Sequence, residues 1–138
     1  MIVGPLKNII MKYYIEKTTE YAFDEAVEKV TEELKKEGFG VLSEIDIHEK
    51  LKEKLGVDFR KYKILGACNP GYAYKALQQE DKIGVMLPCN VIIQEKSDGT
   101  TEVAAVDPIA SMSAIENKEL KGIADEIKGK LEKVIRNL

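Results

Sequence analysis

Two short runs carry the residue types from which chemistry could be built. They are Ala67-Cys68-Asn69-Pro70 and Leu87-Pro88-Cys89-Asn90, each a cysteine followed by asparagine with a proline one or two places away. An Asn-Pro step is a strong helix start, because asparagine suits the N-cap and proline is preorganised for the first helical position. Cys68 then stands just before a helix N-terminus, where orphan N–H groups and the helix dipole favour a thiolate. Lys75, further along the same helix, adds positive charge. Three chemistries fit: a redox-active thiol pair, a soft metal site completed by Met86 or Met112, or a pocket holding a small anion or thiol compound at the helix N-terminus. The candidate ligand-binding set is therefore Cys68, Asn69, Cys89 and Asn90. No cofactor is expected beyond such a soft metal ion. Zinc is the least favoured metal, since the cysteines lie about twenty residues apart and structural zinc sites use close pairs.

Each of these residues also has a plain structural reading. Free cysteines usually behave as small buried apolar side chains, and asparagine at a helix start or strand end usually bonds the local backbone. His48 lies among Glu44, Asp46 and Glu49. It could exchange a proton near neutral pH, but no nucleophile stands at a recognisable spacing, so it reads as part of the solvated face of a short helix. No complete catalytic motif and no phosphate-cradling glycine loop occurs.

The elements that must position these residues follow from periodicity. Residues 12–17 read as a strand, with Thr18 and Thr19 suited to capping the helix that follows. Phe23, Ala26, Val27, Val30 and Leu34 recur at helical steps, and Gly38 stands where a left-handed stop is wanted. Residues 39–46 alternate as a second strand, 47–55 give a short charged helix ended by Gly56, and 62–67 a third strand. Residues 72–79 follow Asn69-Pro70 as a helix. A strand over 85–96 turns at Ser97-Asp98-Gly99-Thr100 into a return strand over 101–106, Asp-Gly being a hairpin signal. A two-residue turn would set Asn90 opposite Asp107 and Glu95 opposite Glu102; the second pairing is a like-charge one, which argues for a longer loop. Residues 108–114 form a connector, and Ser113 with Glu116 has the spacing of a capping box. The last helix bears Leu120, Ile123, Ala124, Ile127, Leu131, Val134, Ile135 and Leu138 on one stripe, so it must lie on the sheet. Gly122 and Gly129 fall opposite that stripe. There each costs up to about 1 kcal/mol relative to alanine, and close approach by a second subunit would be one compensation.

The expected fold class is α+β, with a mixed or antiparallel sheet and flanking helices in the order β-α-β-α-β-α-β-β-α. At 138 residues the chain suits one domain, expected over residues 12–138 with a loose arm at 1–11. Its 44% hydrophobic and 33% charged residues are ordinary for a globular chain. Lys+Arg number 21 against Asp+Glu 24, for a net charge of -3, and no segment concentrates basic residues, so nucleic acid is not an expected partner. No apolar run near the N-terminus is long enough for a signal-peptide core or a membrane span. Two cysteines without an export signal point to the reducing cytoplasm and free thiols.

The central run also resembles a known family, the domain of unknown function (DUF) family 302. The resemblance rests on the helix start Asn69-Pro70, the strand entry Leu87-Pro88 and the apolar hairpin strand Val91, Ile92 and Ile93. Ile45-Asp46, residues 51–57 and 64–70, Ala73, Ala76-Leu77, Gly84 and residues 87–91 are similar to its cysteine-containing branch, and Pro108 and Met112 fit as well. It spans roughly residue 13 to the C-terminus and departs at Gly71, often proline there, and at His48. The resemblance implies a compact α+β fold and a homodimer; it implies no agreed activity. The expected function is a non-enzymatic binding or accessory domain for a small ligand. Its rivals are a thiol-dependent redox protein or enzyme using Cys68 and Cys89, and a structural protein-interaction module.

Overall fold

Alternating apolar positions build the sheet. In the computed structural model, which describes residues 12–138, five strands form one antiparallel sheet in the order β1-β5-β4-β3-β2. They are β1 (Tyr14–Thr19), β2 (Gly40–Asp46), β3 (Tyr62–Cys68), β4 (Cys89–Glu95) and β5 (Thr101–Val106). Successive side chains on a strand point to opposite faces, so Leu65 and Ala67 of β3, Cys89, Val91 and Ile93 of β4, and Val103 and Ala105 of β5 share one face. That face is covered by α1 (Phe23–Lys36) and α5 (Lys118–Arg136), whose buried stripes Phe23, Ala26, Val30, Leu34 and Ile127, Leu131, Val134, Ile135 complete the main core. The remaining helices are α2 (Ile47–Leu55), α3 (Pro70–Gln79) and the single turn α4 (Pro108–Ser111). A smaller core of Ala76, Ile83, Met112, Leu120 and Ala124 fastens α3 to α5. The expected loose arm at residues 1–11 lies outside the described residues.

Most boundaries agree with the periodicity, and the departures have local causes. Thr18 and Thr19 belong to β1 and cap nothing: Thr19 is buried and its hydroxyl donates to the Thr101 carbonyl at 2.9 Å, while α1 begins after Ala22 without a side-chain cap. The end of α1 is as expected. Gly38 has φ 86°, and the N–H groups of Gly38 and Phe39 return to the carbonyls of Lys35 and Leu34, with Phe39 and Leu34 both in the core. β4 begins at Cys89, four residues later than the expected start at 85, because Ile83–Met86 makes a 3-10 turn and Pro88 has no N–H for a ladder. The connector at 108–114 contains α4, whose N-cap Asp107 accepts from the N–H groups of Ile109 and Ala110. Asn117 caps α5, accepting from Glu119 and Leu120, so Ser113 and Glu116 form no capping box.

The hairpin loop has three residues, Ser97, Asp98 and Gly99, flanked by a bond from the Lys96 N–H to the Thr100 carbonyl. Glu95 pairs with Thr101 and Gln94 with Glu102, so the like-charge pairing of the two-residue turn is avoided. Gly99 supplies the left-handed step, φ 87°, that such a loop needs.

Candidate functional site

The sheet brings the two thiols to neighbouring strands. β3 and β4 pair with Ala67 opposite Cys89, which sets Cys68 one residue past that pair. Cys68 and Cys89 share a crevice with Asn69, Phe39, Tyr72 and Met112, among others, closed underneath by the α5 residue Ile127. Its volume is about 20 Å³, room for a water-sized guest. Cys89 is 6% exposed. Burial, and to a lesser degree Cys68, push its thiol up to about 11, because a thiolate there would lose its hydration beside a second thiol. No disulfide joins the two cysteines. Met112 lines the crevice and Met86 does not, so of the two expected thioethers only Met112 is at hand. Among the described residues no group of three or more His, Cys, Asp or Glu side chains stands ready for a metal ion.

Asn69 is the residue before α3 but its side chain does not cap that helix. Its amide Nδ2 donates instead to the Glu37 carbonyl at 3.2 Å, tying the start of α3 to the end of α1. Lys75 Nζ lies 5.6 Å from the centre of the Tyr72 ring, stacked along its own helix. His48 is half-buried rather than solvated. Its Nδ1 accepts the Tyr62 N–H at 3.0 Å and its ring meets Phe23 edge-on at 6.1 Å, so it fastens α2 to β3.

Asn90 does not join the thiols. It follows Cys89 on β4 and therefore points to the opposite face, the one that α1 and α5 leave uncovered. Sequence reasoning missed a second arrangement on that face. A concavity of about 530 Å³ is lined by strand residues and their flanks, with no helix residue among them: Tyr14 and Glu16 on β1, Tyr62 on β3, Asn90, Ile92 and Gln94 on β4, Glu102, Ala104 and Val106 on β5, and Arg60 and Lys96 beside the strands. A chain of polar contacts crosses it. Arg60 Nε donates to Gln94 Oε1 at 2.8 Å, Gln94 Nε2 donates to Glu102 Oε1 at 2.8 Å, and Lys96 Nζ lies 3.7 Å from Glu102 Oε2. Gln94 is 9% exposed, a buried polar side chain satisfied at both ends. Next to this chain Ile45, Ile64, Ile92 and Ala104 are partners in register, an apolar row across β2, β3, β4 and β5. The alternation of Asn90, Ile92 and Gln94 was the available signal, but it needed the strand order to become a surface.

The profile of the family described as "Domain of unknown function DUF302" matches residues 15–138. The chain belongs to the DUF302 family. A solved DUF302 structure, the crystal structure of an uncharacterized conserved protein from Bacillus stearothermophilus, is similar with a TM-score of 0.85 and 31% sequence identity, covering 91% of this chain and 98% of that one. No curated protein matches. This DUF302 chain thus carries two features on opposite sides of one sheet, a tight thiol crevice under the helices and an open concavity on the bare face. No helix of the described residues is long and apolar enough to cross a membrane.

Proposed function

We propose that this DUF302 domain is a non-enzymatic binding or accessory domain that receives a small ligand in the concavity on the bare face of its sheet. The observation that carries this reading is a cavity of about 530 Å³, within the range of small-molecule sites, with an apolar floor and a few convergent polar groups. Of the four residues singled out in the sequence, Asn90 belongs to this site. A homodimer in the cytoplasm goes with the reading. The apolar row through Ile45 and Ile64 gives a second copy a surface to cover, and two free thiols suit a reducing compartment.

A second reading is favoured by the neighbouring sulfurs: Cys68, Asn69 and Cys89 form a crevice that takes a soft metal ion or is oxidised as a pair. Native mass spectrometry of reduced protein separates the two. Three chains are compared: the wild type, Ile92→Arg, which fills the concavity, and the double substitution Cys68→Ser and Cys89→Ser. A bound mass lost in Ile92→Arg and kept in the double mutant is the expected result. Loss in the double mutant alone favours the thiol crevice. Bare chains throughout would sink both resident-ligand readings and leave the interaction module.

A further inference from the structure

We infer that the concavity takes the carboxylate of a small organic acid with an apolar body, held by Arg60; this rests on the concavity being the binding site. Arg60 enters the site with its orientation already fixed. Its Nε–H is spent on Gln94, a side chain itself held by Glu102, and its guanidinium carbon lies 4.3 Å from the centre of the Phe59 ring and 5.6 Å from that of Tyr62. The terminal nitrogens are not spent in the same way. Among the described residues no carboxylate pairs with Arg60. A planar guanidinium with four remaining N–H donors is geometrically matched to a carboxylate, which it can bind through two parallel bonds.

The other charges of the site do not oppose this. Glu102 accepts from Gln94 and faces Lys96, so its charge is already answered. Glu16 lies on β1, the opposite flank of the concavity from Arg60 beside β3. The apolar lining of the concavity is Ile92, Ala104 and Val106, with Tyr14 and Tyr62 lining the same space. An acid whose body is a ring or a short aliphatic chain would cover that floor. A purely inorganic anion would not.

The probes are 3-phenylpropionate and its uncharged counterpart 3-phenylpropanamide, titrated into the full chain at one pH and ionic strength and read by two-dimensional amide NMR. The acid is expected to shift the amides of Arg60, Ile92 and Ala104 and to bind at least about tenfold more tightly than the amide, the scale of a charge-assisted bidentate pair. In Arg60→Gln the preference should fall to within about twofold, and Arg60→Lys, which keeps the charge without the planar fork, should retain part of it. Equal binding of both probes at those residues overturns the carboxylate inference and leaves the concavity a site. A preference that survives in Arg60→Gln overturns the role of Arg60. Shifts confined to other surfaces, or no response in the millimolar range, overturn the inference as well. A bound mass that depends on Ile92 would still uphold the binding reading in those cases.

Discussion

Cys68 and Cys89 look alike in the sequence, each beside an asparagine and near a proline, yet Cys89 begins a central strand with its side chain on the core face. Its thiol is raised to about 11, by burial first and by Cys68 second. At pH 8 iodoacetamide should therefore label it about a hundredfold more slowly than a thiol at the unshifted value of 9.0, with the rate still rising towards pH 11. Peptide mapping after timed alkylation reads this directly, and labelling of Cys89 at the ordinary rate would remove burial as the cause. The same shift has a stability consequence. Because the folded value is raised, the unfolded chain releases this proton first; the contribution is intact below the unfolded value of about 9 and is lost as pH rises to about 11. The loss amounts to about 2–3 kcal/mol, measurable by urea unfolding across that window. The residue types at this site could be read from the chain. Which of them the helices would cover could not: Cys89 and Asn90 point to opposite faces of one strand, and only the packed structure puts Cys89 on the helix side.

At the scale of elements, the long final helix was legible because its apolar stripe repeats over five turns and all but Ile123 and Leu138 of that stripe are buried. Its start was not. The spacing Ser113-x-x-Glu116 pointed to a cap four residues before the one used, Asn117, and the difference depends on where the chain leaves the α4 turn, which Asp107 nucleates with two backbone bonds. Asn117→Ala should cost α5 about 1 kcal/mol by chemical denaturation, whereas Ser113→Ala should cost far less. Gly129 gives the opposite sign. On the outer face of α5 an added Cβ would meet nothing within 4 Å, so Gly129→Ala should stabilise the protein by up to about 1 kcal/mol. A weakened self-association instead would identify that face as a subunit contact. Gly66 is a glycine of another kind. A Cβ there would meet the Ser43 hydroxyl oxygen and lie 2.9 Å from Pro88 Cγ, so β2 and the turn before β4 close over it.

Across the whole molecule, one face of the sheet is paired with helices and the other is bare, an arrangement that leaves Ile45 and Ile64 for a partner. If that partner is a second copy, sedimentation equilibrium should return twice 15.5 kDa, and Ile64→Glu, placed in the apolar row, should return the monomer mass with unchanged circular dichroism. A monomer in the wild type would end the homodimer proposal. The chain by itself determined the α+β class, the hairpin, the amphipathic helices and the residues of the thiol run, since all of these follow from local periodicity, turn chemistry and side-chain type. The antiparallel order β1-β5-β4-β3-β2 was decided in three dimensions, and with it the meeting of Arg60 with the hairpin residues Gln94 and Glu102. Strand pairing joins residues far apart in sequence by burying a shared face, and no local pattern records which strands will share it.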